Sequence, residues 1–143
     1  MENLIRRVIK RPKEKKTWPN PRESIGNPVG MLPDGKGTYW TAKGPARDVW
    51  KYLGRKIRNC IEEDGACEYG SAVLTMEIYM VGSNEDTAVP QILICSEDEK
   101  ARKQVLKAIE KSEIMNQHPA IGLAQMPNLT KLKPIRLSQD EIE

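Results

Sequence analysis

Residues 71–112 run without a break through a strand pattern, a turn cluster, a second strand pattern and a helix-opening signal. This succession constrains the fold more than any other part of the chain. Residues 71–81 (SAVLTMEIYMV) are β-branched, aromatic and roughly alternating, which predicts a strand. Successive strand residues point to opposite faces, so Leu74, Met76, Ile78 and Met80 share one side. That side is wholly apolar and is expected to face the core. Val73, Thr75, Glu77, Tyr79 and Val81 share the other, a mixed set expected to face outward or toward a partner. A turn cluster follows at 82–86 (GSNED), and 91–95 (QILIC) reads as a short apolar strand. Ser96 and Glu99 have the spacing of a capping box, and Glu97, Asp98 and Glu99 complement the positive end of the helix they open. Ala101, Val105, Ala108 and Ile109 make its buried stripe, and the helix is expected to end near Ser112.

Upstream, Gly44-Pro45 places proline at the favoured start of a helix. Ala46, Val49, Trp50, Leu53, Ile57, Cys60 and Ile61 then recur at three-to-four spacing, which carries the helix to about Glu63, with Gly65 as its stop. Gly54 lies inside it and weakens it by about 1 kcal/mol relative to alanine. Residues 37–41 (GTYWT) read as a short strand and 120–126 (AIGLAQM) as a last one, closed by Pro127. The resulting βαββαβ string is the ferredoxin-like split pattern. The expectation is an α+β two-layer sandwich, with both helices on one face of a four-stranded antiparallel sheet. If the first strand fails, αββαβ remains. On this reading residues 1–36 are a basic, proline-rich arm, extended or partly disordered, 37–127 are the α+β domain, and 128–143 are an extended tail.

A chain of 143 residues suits one such domain. It has no phenylalanine, so packing must rest on aliphatic residues, methionine and the three tryptophans. The net charge of +3 is unevenly spread: residues 1–16 hold seven cations against Glu2 and Glu14, or +5, which leaves −2 for the rest. A basic arm on a near-neutral body points to nucleic acid, an acidic protein or anionic lipid as a partner, the plain alternative being a solubilising tail. Three cysteines, Cys60, Cys67 and Cys95, form no disulfide framework, and reduced thiols are expected in an intracellular chain of the cytoplasm or nucleus. No apolar run reaches the roughly 18 residues of a membrane span.

Catalytic, metal and cofactor motifs are not evident. Cys95 precedes a helix start, where a thiol pKa can fall, but Glu97, Asp98 and Glu99 repel a thiolate. His118 is the single histidine; pairing it with Cys95 gives a thiol-enzyme reading that no local motif supports. Cys60 and Cys67 lack the spacing of a zinc site. The glycines at 30–37 lack the order of a phosphate loop. The expectation is therefore a non-catalytic binding module. Its contact surface is the outer sheet face, with Val73, Thr75, Tyr79, Val81 and Leu93, and its partner is another protein or a second copy in a homodimer. The alternative is a nucleic-acid-associated protein. It would use Arg6, Arg7, Lys10 and Arg11 of the arm with Arg47, Lys51, Arg55 and Arg58, which fall within about a quarter of the first helix's circumference. Lys100, Lys103, Lys107 and Lys111 form a second cationic row on the other helix. If RNA bound the sheet, Tyr39, Trp40 and Tyr79 would be the aromatics offered for stacking.

Overall fold

The computed structural model describes residues 17–32, 37–64 and 74–128. The elements run β1 (Ile25–Met31), β2 (Thr38–Ala42), α1 (Gly44–Glu63), β3 (Thr75–Gly82), β4 (Val89–Cys95), α2 (Glu99–Ser112) and β5 (Gly122–Met126). The strands form one mixed sheet in the order β1-β2-β3-β4-β5. Its first three pairings are antiparallel and β4 pairs with β5 in parallel. The architecture is α+β.

The alternation in β3 sorts as its side chains dictate. Ile78 and Met80 are fully buried against the helices, joined by Ile92 and Ile94 of β4, Leu123 of β5 and Trp40 of β2. Ala46, Trp50, Leu53, Ile57 and Ile61 of α1 meet Val105, Leu106 and Ile109 of α2 in the same core, so both helices cover one face of the sheet. Cys60 Sγ lies 3.4 Å from the Ala108 carbonyl oxygen and Lys111 Nζ lies 3.6 Å from Asp64, so the C-terminal ends of the two helices lie together. Gly54 is buried, and a Cβ there would stand 3.1 Å from the Trp50 ring, so the residue that weakens the isolated helix lets the indole lie flat along it.

Three expectations are corrected. The four-stranded antiparallel ferredoxin-like sheet gives way to five strands in sequential order. A split βαβ unit inserts a strand between the pair that flanks each helix. Here β2 and β3 flank α1 and are neighbours, as are β4 and β5 around α2. With β1 on one edge of β2 and β3 on the other, β2 has no edge free for β5, which pairs with β4 after the α2 crossover. Second, residues 25–31, expected as extended chain outside the domain, are β1. Pro28 is tolerated because β1 is an edge strand whose pairing with β2 is irregular on both sides of it. Third, the cap of α2 is Asp98 rather than Ser96. Asp98 Oδ1 accepts from the Ala101 N–H at 3.1 Å. Ser96 is spent elsewhere: its N–H donates to the Met126 carbonyl and its hydroxyl accepts from the Asp98 N–H.

The segment before β1 is stitched to α1. No side chain at Lys43 caps that helix; the Ser24 hydroxyl, fully buried, accepts from the Ala46 N–H at 3.1 Å and from Trp18 Nε1 at 3.1 Å. This remote cap satisfies one of the helix's first unpartnered N–H groups. Gly44 makes the approach possible: its φ is +56°, and a Cβ there would stand 2.5 Å from the Glu23 carbonyl oxygen. Among the described residues no helix is long and apolar enough to cross a membrane.

Candidate functional site

The sheet face turned away from the helices carries a second, smaller apolar cluster. Tyr39, Leu93, Ala124 and Met126 are buried in it, with Val29, Leu32, Tyr79, Val81 and Cys95 packed around them. Tyr39 is 1% exposed; its hydroxyl donates to Gln91 Oε1 at 2.8 Å and its ring meets Tyr79 edge-on at 5.9 Å. Burial pushes the Tyr39 phenol up to about 12, and burial, then the neighbouring Glu77 carboxylate, raises Tyr79. Of the expected contact residues, Thr75 is exposed, Tyr79 and Val81 are half-buried, and Leu93 is 1% exposed. Val73 lies outside the described residues. The centre of this face is thus already buried, and what stays partly accessible is a margin of Val29, Leu32, Tyr79 and Val81 beside exposed Thr75. Tyr39 and Trp40 are buried as well, which leaves Tyr79 alone of the three sheet aromatics partly open.

The helix layer presents a different surface. α1 carries Arg47, Lys51, Arg55, Lys56 and Arg58 against Asp48, Glu62 and Glu63, a net +2. α2 carries Lys100, Arg102, Lys103, Lys107 and Lys111 against Glu99 and Glu110, a net +3. The other described residues hold Arg22 and Lys43 against Glu23, Asp64, Glu77, Glu85, Asp86, Glu97, Asp98 and Glu113, a net −6. The sheet and loops are therefore acidic and the helix layer basic.

The cations differ in what they do. Arg47, half-buried, is committed to the fold: it donates to the Ala42 carbonyl and pairs with Glu77 at 2.9 Å across the end of β2. Arg102 is 6% exposed and clamps the α2 crossover, donating to Gln125 Oε1 at 2.8 Å and to the Ser96 carbonyl at 2.6 Å. Lys103 pairs with Glu99 at 3.3 Å and Lys51 approaches Asp48 at 3.8 Å, both in water, where such pairs contribute little. Arg55, Arg58, Lys100 and Lys107 are exposed and make no ion pair among the described residues. So Lys51, Arg55 and Arg58 of the expected stripe are exposed, Arg47 is half-buried and paired with Glu77, and Arg6, Arg7, Lys10 and Arg11 lie outside the described residues.

Two residues of this surface escape a search for charge rows. Tyr52, 46% exposed, stands on the polar arc of α1 with Lys56 Nζ 5.8 Å from its ring centroid. The His118 ring lies 6.3 Å away, tilted by 55°. Burial and the Lys56 charge lower the His118 pKa. The one signal in the sequence is an aromatic ring at a position the apolar periodicity leaves to solvent.

The geometry lends the thiol reading no support. Gln91 stands opposite Gly122 in the parallel ladder, so His118, just before β5, belongs to the start of β4, whereas Cys95 ends it. Burial raises the Cys95 thiol, opposed by a hydrogen bond with Thr75 and by the Arg102 charge, so the nucleophilic form is disfavoured. Cys60 and Cys95 are free thiols, and no group of acidic, cysteine or histidine side chains among the described residues is arranged to hold a metal ion. An open cleft of about 430 Å³ between the helix C-termini, lined by Cys60, Glu63, Asp64, Ala108, Lys111 and Ser112, is bridged by the Lys111–Asp64 pair. Comparison with protein-family profiles, curated proteins and solved structures finds no match to this chain.

Proposed function

We propose that this chain is a non-catalytic binding module that contacts a polyanion, nucleic acid in the first instance, across the exposed surface of its helix layer. The observation that carries this reading is the segregation of charge: +5 on the two helices against −6 on the other described residues. Phosphate contacts need cations that are exposed and uncommitted. Arg55, Arg58, Lys100 and Lys107 meet both conditions, and the +5 of residues 1–16, with Arg6, Arg7, Lys10 and Arg11, adds long-range attraction. Free thiols at Cys60 and Cys95 suit an intracellular setting. The test is a salt titration of binding to a labelled DNA. Engagement of four or five helix cations predicts a log–log slope of about −3 to −4.5. Flow-through from a heparin column at low salt would remove the reading.

A second reading keeps the outer sheet face as a protein contact or homodimer surface. The half-exposed Tyr79 and Val81, beside exposed Thr75, favour it. Light scattering of the wild type and Tyr79→Glu tests it, and a monomer in both cases counts against self-association.

A further inference from the structure

We infer that the polyanion is single-stranded nucleic acid and that Tyr52 is a platform on which one of its bases stacks; this rests on the polyanion reading above. Tyr52 is the large apolar side chain that the described fold leaves exposed, at 46%. Nothing in the core needs it: the α1 side chains that reach the sheet are Ala46, Trp50, Leu53, Ile57 and Ile61. At about 100° per residue, its position falls between those of Arg55 and Lys56 on the helix surface.

That combination separates three partners. A duplex keeps its bases stacked inside, so it would use the cations and leave the ring idle. A protein partner would also value an exposed tyrosine, yet lysine is depleted from the centres of protein interfaces, and here lysine adjoins the ring. A single strand offers both components at once, phosphates for Arg55, Arg58 and Lys56 and a free base face for the phenol ring. The Lys56 contact with Tyr52 is the weaker interaction at an exposed site, so an incoming base displaces the ammonium and a phosphate takes it up. The His118 ring lies beside the tyrosine at 6.3 Å, tilted by 55°.

The experiment measures fluorescence anisotropy with three labelled probes of equal length: oligo-dT, a DNA duplex, and an abasic deoxyribose-phosphate strand. The full chain is compared with Tyr52→Ala, Tyr52→Phe and Arg58→Glu, melting curves confirming that each folds. The wild type is expected to bind oligo-dT more tightly than the other two. Tyr52→Ala is expected to lose roughly five- to a hundredfold on oligo-dT, falling to the level of the abasic strand, while Tyr52→Phe keeps the preference. Equal binding of all three probes, weakened by Arg58→Glu and untouched by Tyr52→Ala, would overturn the stacking inference and leave the polyanion reading standing. Failure to bind any probe at low salt would overturn both. Polyglutamate competing as well as oligo-dT would overturn the choice of nucleic acid.

Discussion

Replacing Tyr39 by phenylalanine tests the account of the outer sheet face, because it changes stability in opposite directions at neutral and alkaline pH. At pH 8 the variant loses the hydrogen bond to Gln91, 2.8 Å long, and the expected cost is about 1 kcal/mol. The alkaline limb follows from titration. The Tyr39 phenol rises from an ordinary 10.0 to about 12 because burial disfavours its charged form. A group whose pKa is raised by folding contributes stability fully below its unfolded value and loses it as pH climbs to the folded one. Two units at about 1.4 kcal/mol each give roughly 2.7 kcal/mol, lost between pH 10 and about 12. Phenylalanine has no such term. The two stability curves therefore converge above pH 10 and cross, the wild type being less stable by about 1–2 kcal/mol near pH 12. Lysine deprotonation is common to both proteins and cancels in the difference. Urea unfolding by circular dichroism at closely spaced pH values reads the difference directly. Absorbance at 295 nm gives a second check, since Tyr39, one of the four tyrosines, should ionise late, near pH 12. Parallel curves, or four tyrosines titrating together near pH 10, would show that Tyr39 is not buried and that the face is open.

Four further outcomes follow from the packing. Ser24→Ala removes the remote cap of α1 and the acceptor of Trp18, and should cost about 1–2 kcal/mol in urea unfolding. Arg102→Ala strands Gln125 and the Ser96 carbonyl and should cost about 2–4 kcal/mol; Arg102→Lys should not restore it, because an ammonium cannot span both acceptors as a guanidinium does. Cys95 should react slowly with iodoacetamide at pH 7.5, with a titration displaced upward from the usual thiol range, whereas a rate plateau below pH 7 would restore the idea of an activated thiol. Lys107→Glu should raise the melting temperature slightly while weakening heparin retention, and a variant that loses both would break the link drawn between this charge and binding.

The elements were legible wherever period and punctuation agree. The apolar spacing from Ala46 to Ile61 gave α1 its length, and the alternation around Ile78 gave β3 its inward side. β1 was hidden because IGNPVGM holds two glycines and a proline, residues that weaken strands; its pairing with β2 decides its conformation. Topology was hidden for another reason. Which edge β5 joins depends on contacts between residues far apart in sequence, and no local pattern encodes that β2 is already occupied on both sides. Side chains at the surface followed the same division. Periodicity placed Arg47 beside Lys51 and Arg55, but only the meeting of α1 with β3 shows that Glu77 neutralises it. Leu93 lies on the outer face, yet its 1% exposure depends on neighbours such as Val29 in β1 and Leu32 just after it, which local pattern does not reveal.

The charge on the helix layer runs against what folding alone would favour. Arg47, Lys51 and Arg55 stand four residues apart on α1, as do Lys103, Lys107 and Lys111 on α2. Like charges at that spacing are neighbours on a helix surface and destabilise it by about 0.2–0.5 kcal/mol per pair, so these four pairs cost roughly 1–2 kcal/mol. Glu77 offsets part of this at Arg47 and Glu99 part at Lys103, but Arg55 and Lys107 have no such relief. A surface under pressure only for stability and solubility would alternate signs; of the eight carboxylates elsewhere on the described fold, Glu77 and Asp64 reach the ends of these rows at Arg47 and Lys111, and the other six form no ion pair with them among the described residues. An anion laid along the rows would remove the repulsion at the moment of binding. If the proposed polyanion binds along these rows, part of its attraction is already stored in the free protein as like-charge repulsion on the helix surface.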